Sequence, residues 1–205
     1  FGFASPSDIY IADDNCVYVS DKENKVIYKY NPDTKALEEI GKEFLAGPTG
    51  VFVTEEYIYV ADYEASDVKV INHDGTLEKT IGRPTEPLFG VQSYYKPTKV
   101  AVDKGGNLYI TSEGNANGVV QINKAGEFVG YFGPNTINIT LSLLIKRMFL
   151  SKGDKETYAS LTPKPTTNLT IDNKNIVYTL VDTVVNESLK KFNVNPEAYY
   201  DQFSH

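Results

Sequence analysis

One segment is written four times along the chain, and that repetition limits the architecture before any single residue matters. Pro6 opens Pro-Ser-Asp-Ile-Tyr-Ile-Ala-Asp, and Val-Tyr-Val-Ser-Asp follows, ending at Asp21. The order returns from Pro48, where Pro-Thr-Gly-Val-Phe-Val-Thr leads to Ile-Tyr-Val-Ala-Asp at Asp62. It returns from Pro97, where Pro-Thr-Lys-Val-Ala-Val-Asp leads to Leu-Tyr-Ile-Thr-Ser at Ser112. With one extra residue it returns from Pro165, where Pro-Thr-Thr-Asn-Leu-Thr-Ile-Asp leads to Val-Tyr-Thr-Leu-Val at Val181. A period of about forty residues marks stacked units that bury a shared core.

The third copy reads most clearly. Apolar runs and alternation place short strands at 100–102, 108–111, 119–122 and 128–132. Between them lie turn residues: Asp103 to Asn107 with two glycines, the polar stretch 113–118, and Asn123 to Gly126. Four short antiparallel strands joined this way make one propeller blade. The expected fold is therefore an all-β propeller of four-stranded antiparallel blades, with about four blades over a single region, 1–205. The blades fall at about 5–41, 47–82, 97–133 and 165–195, interrupted by insertions at 83–96 and 134–164.

These residues resemble NHL repeats. The resemblance rests on the Pro at each blade start, the Val-X-Val-Asp strand, and the Gly-Asn-X-Tyr-Ile segment of the third copy. Asp21-Lys-Glu-Asn24 before Val26 fits the family's Asp-X-X-Asn, and each of the first three blades closes on an apolar residue and Gly. The resemblance implies an array that closes at six blades, so the four copies read as a partial array. Phe1-Gly2 reads as the closing pair of a preceding blade, and the fourth copy lacks such a closure. The expectation is a chain cut from a longer array or one whose missing blades another copy supplies, because an open array otherwise exposes edge strands that favour self-association. Interrupted arrays of this kind are similar to propeller regions of bacterial surface or membrane-associated proteins. That implies an extracytoplasmic or cell-surface location, with membrane tethering through segments outside this chain.

The repeat also explains many polar residues. Asp21, Asp62, Asp103 and Asn24 stand where short polar side chains satisfy turn N–H groups, a structural duty. What the repeat leaves unexplained is its two interruptions. In a four-stranded blade, the connection to the next blade shares a face with the loop between strands two and three. Both insertions therefore gather on one face, together with the loops near Tyr63, Glu113 and Asp182. The candidate binding residues on this face are Tyr63, Arg83, Phe89, Tyr94, Tyr95 and Glu113. The aromatic residues of 83–96 suit contact with protein or sugar, and packing of the loop onto neighbouring blades is the favoured expectation, since loop aromatics often staple a loop down. The second insertion carries a helical stripe, Leu141, Leu144, Ile145 and Met148, with Phe149 beside it. That helix could dock a partner or a membrane surface, and covering the propeller is the more economical expectation.

Composition excludes several classes. The formal net charge of −7 opposes a nucleic-acid partner. Cys16 is the one cysteine, so neither an internal disulfide nor a cysteine metal cluster is available. Three sequons, at Asn138, Asn168 and Asn186, are short enough to arise by chance. Related lactonase-like and lyase-like propellers are enzymes that use a His or metal ligands. Here the histidines are His73, in an Asn-His-Asp-Gly turn on the face opposite the insertions, and the terminal His205. Neither suits a general base. The expectation is a non-catalytic binding or scaffolding propeller with no catalytic or metal residues and no cofactor. Its alternative is a metal-dependent hydrolase or lyase whose catalytic residues lie in absent blades.

Overall fold

Strands form where apolar and β-branched residues run between turn signals. The computed structural model describes residues 2–90, 93–115, 117–133, 165–181 and 189–194. Within them the chain is all-β, and its antiparallel sheets are four blades of a β-propeller. Blade one holds β1 (Pro6–Ile11), β2 (Val17–Asp21), β3 (Val26–Tyr30) and β4 (Leu37–Ile40). Blade two holds β5 (Pro48–Val53), β6 (Ile58–Asp62), β7 (Asp67–Ile71) and β8 (Leu77–Ile81). Blade three holds β9 (Pro97–Val102), β10 (Leu108–Ser112), β11 (Val119–Ile122) and β12 (Phe128–Phe132). Among the described residues blade four has three strands, β13 (Thr166–Ile171), β14 (Ile176–Val181) and β15 (Leu189–Asn193). The helical stripe at Leu141, Leu144, Ile145, Met148 and Phe149 lies outside the described residues, as do Asp182, Asn138 and Asn186. Asn168 is exposed on β13.

Each sheet runs in chain order, and the first strands are the innermost: β1 packs on β5, β5 on β9, and β9 on β13. Burial follows this order. Every residue of β6 is buried, whereas β8, at the rim, buries only Ile81. The core therefore lies in the seams between blades. Tyr18, Ile27 and Ile40 of blade one meet Val51, Val53, Ile58, Val60 and Ile71 of blade two. The second and third seams form one further cluster, running from Phe52 and Tyr59 through Val100, Tyr109 and Ile110 to Leu169 and Val177. Fully burying one such aliphatic side chain contributes about 1.5–3 kcal/mol, so these seams supply most of the stability.

All four blades carry a register shift at the same point, next to the first residue of the inner strand. A bulge there sharpens the local twist, which lets a strand start at the rim of one blade and settle on the next. The outer hairpins turn with positive φ where glycine costs least, at Gly75 (φ 88°) and Gly126 (φ 93°). The inner strands approach most closely at Gly50. A Cβ on Gly50 would lie 2.8 Å from both Lys99 Cα and the Thr98 carbonyl oxygen. Above that contact Lys99 reaches from blade three to an ion pair with Asp8 of blade one. The other Asp8 oxygen accepts from the Val51 amide at 3.0 Å, so one carboxylate ties three inner strands together.

Candidate binding face

The face is built by a repeated clamp. Asp21 takes the amides of Ala4 (2.8 Å) and Ser5 (3.0 Å), the residues that enter blade one. Asp62 takes those of Ala46 (2.7 Å) and Gly47 (2.8 Å) in the same way. In blade three, Ser112 accepts the Lys96 amide at 2.8 Å instead. Burial pushes the Asp21 carboxyl up, but the amides of Ala4, Asn24 and Ser5 outweigh it and hold it below the ordinary carboxylate range. Asp103 has a different duty, closing the turn beneath blade three by accepting from Gly105 and Asn107 at 2.8 Å each.

The residue after each clamp is held as well. The amides of Lys22, Tyr63 and Glu113 donate to the carbonyls of Ser5 (2.9 Å), Gly47 (3.0 Å) and Lys96 (2.9 Å). Three blades thus place one side chain each at the same height on one face. The Glu113 carboxylate beside Tyr63, together with partial burial, holds the phenol well above its ordinary range. Tyr94 joins from the insertion, with its ring against Gly114 and near enough to Tyr63 to raise that phenol further. Two ammonium groups flank the Tyr63 ring, Lys22 at 4.3 Å and Lys96 at 5.2 Å from its centre. Lys22 also pairs with Glu64 at 2.8 Å, while Lys96 donates to the Tyr63 carbonyl at 3.1 Å. The structure thus brings three sequence candidates, Tyr63, Tyr94 and Glu113, into one aromatic and charged cluster.

The other three candidates anchor the insertion. Arg83 donates to the carbonyls of Ser93 (3.2 Å), Pro84 (3.0 Å) and Gly90 (2.7 Å), and its guanidinium lies 4.9 Å from the Phe89 ring centre. Phe89 is buried at the end of a 3-10 turn, Pro87–Phe89, against Tyr95, Phe128 and Tyr131. Tyr95 is buried too, and among the described residues neither its hydroxyl nor Asp67 Oδ1 has a hydrogen-bond partner. Asp67 is pushed up by that burial, partly offset by Lys69 at 2.6 Å.

Lys22, Glu64 and Lys96 were not among the sequence candidates. A usable signal for Lys22 was present, because it occupies the same repeat position as Tyr63 and Glu113. On the opposite face, His73 places Nε2 3.0 Å from the Thr54 carbonyl, in a shallow groove with Asp13, Asp14 and Glu55. Among the described residues no group of three or more His, Cys, Asp or Glu is arranged to hold a metal ion. Among them no helix is long and apolar enough to cross a membrane.

Comparison with known proteins defines the class. No protein-family model matches the chain, and no curated protein does. Solved structures do. The chain is similar to hydrazine synthase of Kuenenia stuttgartiensis, with TM-score 0.63 at 15% identity, over 95% of this chain and 47% of that one. It is similar to a gluconolactonase of Xanthomonas campestris, with TM-score 0.59 at 18% identity, over 87% of this chain and 55% of that one. It is similar to virginiamycin B lyase of Staphylococcus aureus, with TM-score 0.53 at 12% identity, over 93% of this chain and 56% of that one. The chain spans about half the length of these β-propeller structures. At such identities the likeness shows the fold, and the fold hosts unrelated activities.

Proposed function

We propose that this is a non-catalytic binding or scaffolding propeller of the NHL type, whose insertion face contacts a protein or small ligand. One observation carries the reading. Tyr63, Glu113 and Tyr94 come from three separate loops, yet they meet in one cluster flanked by two lysines. Aromatic rings with a polar edge, beside charges of both signs, offer stacking area and hydrogen bonds at low entropic cost. A rigid scaffold presenting such loops is the usual seat of recognition.

A screen of peptide and glycan arrays tests this, with wild type beside the double variant Tyr94→Ala, Glu113→Ala. The reading expects retained spots that the variant loses while its melting temperature holds. Spots that survive the variant unchanged would contradict it. The enzymatic reading, a metal-dependent hydrolase or lyase, draws on two of the similar structures, a gluconolactonase and a lyase. Stoichiometric Ca²⁺ or Zn²⁺ in the purified protein, with turnover of gluconolactone or virginiamycin B, would favour that reading.

A further inference from the structure

On the face opposite the insertion, the turns of blades one and two gather acidic side chains at the seam between them. Each turn is closed by its own backbone. The amide of Ala12 donates to the Cys16 carbonyl at 3.0 Å, that of Thr54 to Tyr57 at 2.9 Å, and that of Asn72 to Thr76 at 2.8 Å. Because β1 packs on β5, these turns meet around a groove of about 290 Å³. Asp13, Asp14, Glu55 and His73 line it, beside an apolar wall of Ala12 and Val53. Among the described residues no lysine or arginine lines the groove or pairs with its three carboxylates. Lys29, whose charge Asp14 feels, is held by Glu38 at 3.6 Å.

Tyr18 gives the groove a buried polar group. It lines the groove although it is only 1% exposed, and its hydroxyl has no hydrogen-bond partner among the described residues. Burial, and then the Asp14 charge, push that phenol up to about 12, so it stays a hydroxyl that can donate and accept. His73 is turned toward its own blade. Its Nε2 donates to the Thr54 carbonyl at 3.0 Å, which leaves Nδ1 as the acceptor of the neutral ring.

The next seam shows what this groove lacks. Asn72 and Asn123 open matching turns, each donating to a carbonyl four residues on, so Lys124 of blade three stands where His73 stands in blade two. Lys124 reaches back to Glu56, in the turn after β5, at 3.9 Å. The chain thus supplies its own alkylammonium to the acidic turn at the seam of blades two and three. At the seam of blades one and two the matching side chain is an imidazole engaged elsewhere, and Asp13 and Asp14 meet no ammonium from it. The groove's His and carboxylates are not arranged to hold a metal ion. An organic cation fits them better, because several N–H donors reach separated carboxylates while a methylene stem covers the apolar wall.

We propose that this groove binds a primary alkylammonium group, from a free amine or a lysine side chain. Its methylenes lie along Ala12 and Val53, and its N–H donors are shared among Asp13, Asp14, Glu55 and the Tyr18 hydroxyl. The site is separate from the insertion face and does not depend on what that face binds.

Calorimetric titration of the whole chain with cadaverine, Nα-acetyl-lysine amide and tetramethylammonium tests this. An amine that fits is expected to saturate one site with a Kd of about 0.1–1 mM. Binding by only one of the two amines names the source, and binding by both admits either. Tetramethylammonium carries the charge without an N–H, and should bind at least about ten-fold more weakly. His73→Lys installs the arrangement of the next seam, and should weaken amine binding at least about ten-fold. Asp13→Asn with Glu55→Gln should do the same. Asp13, Glu55 and His73 are exposed turn residues, so these variants keep the fold, which circular dichroism confirms. Tyr18→Phe keeps the ring and should weaken binding about three-fold or more. Saturation by neither amine up to about 20 mM overturns the proposal. So does binding that tetramethylammonium matches, or that His73→Lys and the double variant leave unchanged.

Discussion

At the scale of single residues, the polar side chains that recur with the repeat serve the backbone. Asp62 accepts from Ala46, Gly47 and Ala65, and removing it leaves buried amides without an acceptor. Asp62→Ala should therefore destabilise by about 2–4 kcal/mol in chemical denaturation. Asp21 adds a pH dependence. Its carboxyl is depressed in the fold, so its contribution is present above the unfolded value of about 4 and is lost as pH falls through the folded value. Asp67 runs the other way, since burial raises it and protonation relieves the cost. In denaturant titrations, Asp21→Asn should be less stable than wild type at neutral pH, with the gap narrowing below about pH 4. Tyr95 makes the opposite case to the clamps. Its buried hydroxyl has no hydrogen-bond partner among the described residues, so Tyr95→Phe should be neutral or stabilising by up to about 1 kcal/mol. Loss of more than that would reveal a bond the hydroxyl makes in solution. None of these buried-group assignments was readable for Tyr95 or Asp67, because a loop aromatic looks alike in sequence whether it packs or points outward.

At the scale of elements, the strands were the most legible feature. The alternation at 119–122 and 128–132 reads directly as β11 and β12, because turn residues bracket each run. The inner strands were read short. Pro97, Thr98 and Lys99 belong to β9, yet a proline and a bulge disguise its first half. Gly50 was equally opaque, since its demand is steric and comes from a neighbour many residues away. Gly50→Ala should push the inner strands of blades two and three apart and cost about 1–3 kcal/mol by thermal or chemical unfolding. The insertion at 83–96 offers a separate check. Phe89 is its anchor in the aromatic group of blade three, and Phe89→Ala should cost about 3–5 kcal/mol. Hydrogen exchange in that variant should speed up in the insertion and β12 before it does in β1 and β2, since stability in stacked blades is locally shared.

At the scale of the molecule, the repeat supplies a platform and its interruption supplies chemistry. The clamp after each second strand sets Lys22, Tyr63 and Glu113 level with one another, and the insertion adds Tyr94 and Lys96. The face was legible from topology alone, because the loops between strands two and three must share a side with the blade connections. Its cluster was legible only in part. Tyr63 and Glu113 follow from repeat position, whereas the inward turn of Arg83 and the outward turn of Tyr94 depend on packing that no periodicity encodes. The opposite face offers a groove with His73 and three carboxylates, and that makes the two sides separable by experiment. Amide hydrogen exchange, with and without a ligand taken from the array screen, tests the central claim most directly. The account predicts slowed exchange at 22–24, 63–66, 93–96 and 112–115, with the opposite turns unchanged. Slowing confined to 12–14, 54–56 and 72–75 would contradict it.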